Sequence, residues 1–300
     1  MYRMVLLFGL VLAGFVQPSF ADDRDDCVTG TKVVPDLRMT ACTKAMEAKD
    51  LDPPTLAGFY RWRGLAFAEK GDGDRAIADF TEALRRDPHD ARAYAGRGDA
   101  WDAKGDGIKA MADYNASLRL RFDAGVYGRR GLQWLARGAY STAIDDFARG
   151  IALDPGNASL FSSRGQLWEK KGDVDRARAD YDESVRLGSG DSTVYRNRAV
   201  FLLKRGDPDG AIADLDEAIR RNPADGSAFV HRGFVLARTG DFARPFADFN
   251  EAVRLAEKNS HAHFGRGIAA FFLGRFDAAA ADFADAHNLK QEDFYREWSM

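Results

Sequence analysis

The two cysteines of this chain are the residues best suited to covalent chemistry. Cys27 and Cys42 lie 15 positions apart near the N-terminus. In an oxidising compartment such a pair forms a disulfide, and closing a loop of this length contributes roughly 3 kcal/mol in the chain-entropy model. A catalytic thiol is disfavoured because no histidine lies near either cysteine along the chain. A disulfide is therefore expected, with two free thiols as the alternative.

Two other patterns bring together residue types that bind metal ions. His261 and His263 are two residues apart at the start of a predicted helix, which is poor geometry for holding one ion. The run from Asp207 to Gly210 resembles the start of a calcium loop, but the glutamate required six residues after the glycine is absent. We predict no metal site and no cofactor site from these patterns.

The remaining sequence gives no pattern typical of catalysis or of nucleic-acid binding. It contains no nucleophile elbow, no phosphate loop and no paired cysteine–histidine set, so we predict no catalytic residues and no enzyme. The formal net charge is −3, with 45% hydrophobic and 30% charged residues. Because there is no large basic excess, nucleic acid is not an expected partner.

Arginine and aspartate recur together through most of the chain. In seven places an arginine is followed 16 residues later by an aspartate. The pairs are Arg63–Asp79, Arg97–Asp113, Arg130–Asp146, Arg164–Asp180, Arg198–Asp214, Arg232–Asp248 and Arg266–Asp282. In an antiparallel helix pair with a short turn, the two residues come roughly level. We predict structural ion pairs that join helices within a unit or between neighbours, with a charged binding ladder as the alternative.

These pairs belong to a longer repeat. Gly64 and its equivalents return every 33 or 34 residues, a period typical of two-helix solenoid repeats. Within a unit, counted from residue 57, position 4 is aromatic in six of seven cases and position 15 is always glycine. Positions 4, 8 and 11 share one helical face, so a small residue lies between two bulky ones and allows close helix packing.

The pattern resembles the tetratricopeptide repeat family over roughly residues 57 to 291. The resemblance implies an all-α fold, a right-handed superhelical solenoid of about seven helix-turn-helix repeats with capping segments at both ends. The predicted repeats cover residues 57–90, 91–123, 124–157, 158–191, 192–225, 226–259 and 260–291. We expect residues 22–56 to form an N-terminal cap with the disulfide, and residues 292–300 to form a C-terminal capping segment.

The first 21 residues differ in composition from the rest of the chain. Arg3 precedes an apolar run from Met4 to Val16, and small residues follow at Ser19 and Ala21. This is typical of a cleavable secretory signal and too short for a membrane span. A buried N-terminal helix is the poorer alternative, because an acidic run begins at Asp22. We expect an exported protein, periplasmic or secreted, that is soluble and has no integral membrane span after cleavage.

In the tetratricopeptide repeat family the ligand groove lies on the concave side, along the first helices. The lysines and asparagines with which some members clamp a chaperone tail are not carried over, since Arg61, Leu65 and Ala95 stand at matching positions. Toward the C-terminus the groove positions become apolar. The predicted protein-binding groove consists of Val200, Leu203, Val230, Phe234, Phe264, Ile268, Phe271 and Phe272. The alternative is that the C-terminal segment covers these residues.

The resemblance implies an interaction scaffold or adaptor that holds a peptide or partner protein in its concave groove, in the cell envelope. One alternative is an accessory subunit or chaperone-like protein of an envelope complex. A hydrolase would need a catalytic constellation that the sequence does not contain. The expected partner is another protein or a peptide.

Overall fold

The computed structural model describes Cys27, residues 34–188 and residues 190–289. Fifteen helices and no strand lie in this part of the chain. They are α1 Pro35–Ala45, α2 Pro53–Glu69, α3 Gly73–Arg86, α4 Ala91–Ala103, α5 Gly107–Leu120, α6 Ala124–Ala136, α7 Tyr140–Leu153, α8 Ala158–Lys170, α9 Val174–Arg186, α10 Ser192–Lys204, α11 Pro208–Arg221, α12 Gly226–Ala237, α13 Ala243–Leu255, α14 Ser260–Phe272 and α15 Phe276–Asn288. The predicted all-α class of helix-turn-helix repeats is confirmed. The predicted signal, residues 1–21, and the C-terminal segment, residues 292–300, lie outside the described residues.

The chain divides into two compact units, Met1–Phe122 and Asp123–Met300. The first contains α1 and two helix pairs, α2–α3 and α4–α5. The second contains five pairs, α6–α7, α8–α9, α10–α11, α12–α13 and α14–α15. One pair falls in each of the seven predicted repeats. No helix among the described residues is long and apolar enough to cross a membrane.

The helix boundaries follow from capping residues in the sequence. Every first helix of a repeat begins after an aspartate or asparagine whose side chain accepts a hydrogen bond from a backbone N–H, as Asp90 does for α4. The glycine at repeat position 15 follows each first helix with a φ of 71° to 84°. Other residues rarely adopt this left-handed conformation, so the glycine ends the helix and reverses the chain.

The two helices of a repeat touch where a small residue meets a buried ring. A Cβ added to Gly64 of α2 would lie 3.2 Å from the Phe80 ring and 3.3 Å from the Ala76 carbonyl oxygen. Phe80 is fully buried, as are its counterparts Tyr114 and Phe249. Any larger residue at position 64 would push α3 away and open the repeat, because protein cores are close-packed.

The N-terminal cap packs against the first repeat. The expected disulfide joins Cys27 to Cys42 of α1, with the two Cα atoms 4.8 Å apart. Both sulfurs lie in a buried cluster with Ala45 and Phe59 of α2. The Thr43 hydroxyl also accepts a hydrogen bond from Arg63 Nη1 at 3.0 Å, so α1 occupies the place that a preceding second helix has in later repeats.

Candidate functional site

Each of the seven predicted arginine–aspartate pairs lies within one repeat and joins its two helices. In every pair the arginine Nε and Nη2 donate to the two carboxylate oxygens, with the shortest bond of each donor at 2.6 to 2.9 Å. The aspartates are 2% to 6% exposed. Hydrogen bonding to the carboxylate raises the pKa of Arg63, Arg97 and Arg130 above the ordinary value. These are bidentate, largely desolvated ion pairs.

The third guanidinium nitrogen reaches the second helix of the preceding repeat. Arg232 Nη1 donates to Asp216 at 2.7 Å, Arg198 Nη1 to Asp182 at 3.1 Å, and Arg266 Nη1 to Asn250 at 3.0 Å. The position-4 ring also stacks on the guanidinium, 5.5 to 5.6 Å away in five repeats. An arginine bonded on three sides is a helix staple and has little capacity left for a ligand.

The structure corrects part of the predicted apolar groove. Val230 and Phe234 are only 6% and 8% exposed and belong to a core cluster with Phe249. The Phe234 ring packs edge-on against Phe249, with the centroids 4.8 Å apart. These two residues are core, because the first helix of the seventh repeat packs over them through Ala262 and Ala269.

The other predicted groove residues do not form one open surface. Leu203 is half-buried against the core of the second unit, and Phe264 packs on Phe283 with ring centroids 5.7 Å apart. Ile268 is half-buried. Phe271 and Phe272 are 52% and 61% exposed.

Phe271 and Phe272 belong to an exposed aromatic cluster that we define as Phe242, Phe271, Phe272 and Phe276. Phe242 stacks on Phe272 with centroids 4.2 Å apart, and Phe271 packs edge-on against Phe272 and Phe276 at 5.6 Å. Phe242 and Phe276 were not predicted. The sequence signal was available, since both hold position 17 of consecutive repeats.

Val200 lines a cleft between the first helices of the fourth and fifth repeats, α8 and α10. The cleft has a volume of about 370 Å³. Its lining residues are Gln166, Glu169, Lys170, Tyr181, Asn197, Val200 and Lys204. We call it the α8–α10 cleft. Sequence reasoning found only Val200 of this set, because Tyr181 comes from a second helix and the polar residues share no apolar pattern.

Hydrogen bonds fix part of the polar lining of the α8–α10 cleft. The Tyr181 hydroxyl donates to Glu169 Oε2 at 3.2 Å, and Lys204 Nζ donates to Glu169 Oε1 at 3.1 Å. Burial, and secondarily the Glu169 charge, raises the pKa of Tyr181, so its phenol stays neutral. Asn197 Nδ2 donates to Ser162 Oγ at 2.9 Å, which orients the amide.

Other polar groups in the cleft remain available. Among the described residues, Gln166 and Lys170 make no hydrogen bond or ion pair with the protein, and the Asn197 carbonyl oxygen has no partner. An open cleft with amide donors and acceptors can bind a polar chain without first breaking internal hydrogen bonds.

The repeats match a known family over most of the chain. The family model for the tetratricopeptide repeat matches residues 63–125, 130–192, 197–260 and 246–291. The chain belongs to the tetratricopeptide repeat family. Proteins of this family bind other proteins or peptides, and its fold is that of a protein-interaction scaffold. No curated protein sequence matches this tetratricopeptide repeat chain.

Solved structures share the tetratricopeptide repeat fold. A chain of the APC/C hetero-tetramer Cut9–Hcn1 has a TM-score of 0.64 at 18% identity, covering 80% of this chain and 49% of that one. Yeast Tom70 has a TM-score of 0.64 at 18% identity, covering 94% and 63%. A tetratricopeptide repeat protein from Parabacteroides merdae has a TM-score of 0.60 at 18% identity, covering 80% and 96%. At this identity the likeness concerns the fold alone.

The seventh tetratricopeptide repeat also brings together a cluster of potential metal ligands that sequence reasoning missed. His263 Nδ1 lies 3.1 Å from Asp282 Oδ1 and 3.7 Å from Asp285 Oδ2. The sequence analysis paired His263 with His261, but the partners of His263 lie on the following helix, 19 and 22 residues away.

Proposed function

We propose that this tetratricopeptide repeat protein is an interaction scaffold that binds an extended peptide segment of a partner protein in the α8–α10 cleft. The observation that carries the proposal is the open cleft of about 370 Å³ whose lining includes amide and ammonium groups without protein partners. The role proposed is non-catalytic.

The chemistry of the cleft suits a peptide main chain. Gln166 and Asn197 each offer an amide that can donate and accept, which matches the alternating N–H and C=O groups of an extended peptide. Val200 and the Tyr181 ring supply apolar contact for side chains. Lys170 gives one positive charge without a counter-ion among the described residues, so a segment with an acidic side chain is favoured over a basic one.

A second candidate, an accessory or chaperone-like subunit, is favoured by the exposed aromatic cluster. Phe271, Phe272 and Phe276 are each more than half exposed. Contiguous apolar surface on a protein often marks a contact site. Under this candidate the cluster, and not the cleft, contacts the partner.

We further propose that the protein works outside the cytoplasm, in the bacterial cell envelope or the secreted space. Two features support export: the signal-like composition of residues 1–21 and the disulfide between Cys27 and Cys42. N-terminal sequencing of the protein from the envelope fraction tests this. A mature chain that begins at Asp22 is expected, and an intact or lipidated N-terminus contradicts it.

Site-specific photo-crosslinking tests the proposed peptide site. A photoreactive phenylalanine analogue replaces Val200 in the cleft and, as a matched control, Ile108, which is an apolar residue 81% exposed on α5. Crosslinks from position 200 should map to one defined peptide segment, while position 108 should give none. Equal crosslinking at both positions, or crosslinks to many unrelated unfolded segments, would contradict the proposal and favour the chaperone-like candidate.

A further inference from the structure

The seventh repeat departs from the other repeats at three positions that meet in space. Position 4 is aromatic in the first six repeats and is His263 in the seventh. Position 26 is a glutamate that bonds to an arginine three residues later in four repeats, as Glu217 does with Arg220. In the seventh repeat these two positions hold Asp285 and Asn288, so the usual arginine partner of this carboxylate is missing.

The lost arginine is replaced by the ring of His263. Its Nδ1 lies 3.1 Å from Asp282 Oδ1 and 3.7 Å from Asp285 Oδ2. Its Nε2 lies 2.9 Å from the carbonyl oxygen of Glu257. A carbonyl oxygen only accepts, so Nε2 carries a hydrogen. The neutral ring then turns the lone pair of Nδ1 toward two carboxylate oxygens, and three acceptors that converge need a cation between them.

We propose that His263, Asp282 and Asp285 form a binding site for a divalent transition-metal ion such as Zn²⁺. One imidazole nitrogen and two carboxylate oxygens are the mixed ligand set that suits such an ion. With metal–ligand bonds near 2.0–2.2 Å, neighbouring ligands of a tetrahedral zinc site lie about 3.3 Å apart. The two separations from Nδ1 lie on either side of this value.

The surroundings support ligand geometry and access. His263 and Asp282 are buried, whereas the Asp285 side chain is 57% exposed, which leaves a path for the ion and room for water as a further ligand. The Glu257 carbonyl sets the hydrogen on Nε2, the outer-shell arrangement typical of metal-binding histidines. Arg266 holds the far edge of Asp282 through Nε and Nη2 at 2.9 and 2.7 Å. Its positive charge opposes the ion, so the binding is weaker than in four-ligand structural sites.

Bound metal would connect α14 to α15 directly. His263 lies on the first of these helices, and both aspartates lie on the second. Because an ion that binds only the folded chain stabilises it by mass action, the seventh repeat should gain thermal stability in the presence of the ion.

Calorimetric titration of the full mature chain with ZnSO₄, after treatment with a chelator, tests the proposal. One equivalent of Zn²⁺ should bind, and the melting temperature should rise with it. Asp285→Asn and His263→Phe should each weaken binding at least tenfold. The phenylalanine variant restores the residue type that Phe229 supplies in the sixth repeat, so its fold should persist. His261→Ala, two residues earlier on the same helix, is the matched control and should bind like the unsubstituted chain.

Three results would overturn the proposal. They are no saturable binding of Zn²⁺ by the unsubstituted chain, undiminished binding by both Asp285→Asn and His263→Phe, or a loss of binding in His261→Ala. The first result would mean that a second ring proton, and not a metal ion, lies between His263 and the carboxylates.

Discussion

Arg198 of α10 donates two hydrogen bonds to Asp214 of α11, both at 2.7 Å, and so fastens the two helices of the fifth repeat face to face. The same arrangement occurs in all seven repeats. Asp214 is 5% exposed, so the guanidinium is the group that compensates for burying its charge. The regular 16-residue spacing of the sequence is therefore a spacing of helix contacts.

Removing this arginine should destabilise the second unit. Arg198→Ala leaves a buried carboxylate without its partner and should lower the free energy of unfolding by about 3 kcal/mol. Arg164→Ala should cost about 0.5 to 1 kcal/mol less, because Ala148 stands where Asp182 gives Arg198 an additional ion pair. Urea denaturation followed by circular dichroism measures both. Lys258→Ala, an exposed change in the same unit, should have no effect, and an unchanged midpoint for Arg164→Ala would refute the staple.

The exposed glutamates of the second helices should make stability depend on acid pH. Hydrogen bonds from Arg85, and then from Arg86, lower the pKa of Glu82 to about 2, and Arg220 and Arg221 lower that of Glu217 to about 2. A pKa lowered in the folded state contributes stability above the unfolded value of 4.5, and this contribution is lost as pH falls toward about 2. Glu82→Gln and Glu217→Gln should flatten the loss of melting temperature over that window. If Glu217→Gln has the same effect after Arg220 and Arg221 are both replaced by alanine, those ion pairs are not the cause.

The disulfide should stabilise the N-terminal cap. Its loop of 15 residues should contribute about 3 kcal/mol to the stability of the cap on α2. Cys27→Ala/Cys42→Ala should therefore show earlier unfolding of the first unit and faster proteolysis around α1. Thiol titration of the denatured, unreduced protein should find no reactive thiol, since both cysteines are joined. Two reactive thiols would contradict the bond.

The aromatic residues near the C-terminus should separate into surface and core. Phe271→Ser removes an exposed ring and should leave the melting temperature nearly unchanged while reducing the binding of a hydrophobic dye. Phe234→Ala removes a ring packed on Phe249 and should cost about 3–5 kcal/mol. Equal destabilisation by both changes would show that the aromatic cluster is core.

The sequence was sufficient for features that depend on contacts at fixed chain separation. The arginine and aspartate positions lie 16 residues apart in every repeat, so an antiparallel pair brings them level wherever it forms. The glycine that ends each first helix was equally readable, because only a left-handed residue fits the turn.

Features that depend on how one repeat packs on the next could not be predicted. Val230 and Phe234 occupy groove positions in sequence, but the close approach of α14 buries them. That approach depends on Gly265, where a Cβ would lie 2.3 Å from the Phe249 ring. The α8–α10 cleft and the His263 cluster likewise combine residues from different helices, and neither has a pattern that recurs along the chain.

The affinity for the peptide identified by crosslinking at position 200 tests the central claim most directly. Calorimetry with the mature chain should show that Gln166→Ala and Asn197→Ala each weaken binding by about five- to tenfold, since each loses a hydrogen bond of roughly 1 kcal/mol. Lys109→Ala, an exposed change in the first unit, should keep the affinity of the unsubstituted chain. Unchanged affinity in both cleft variants would show that the peptide binds elsewhere and would contradict the account.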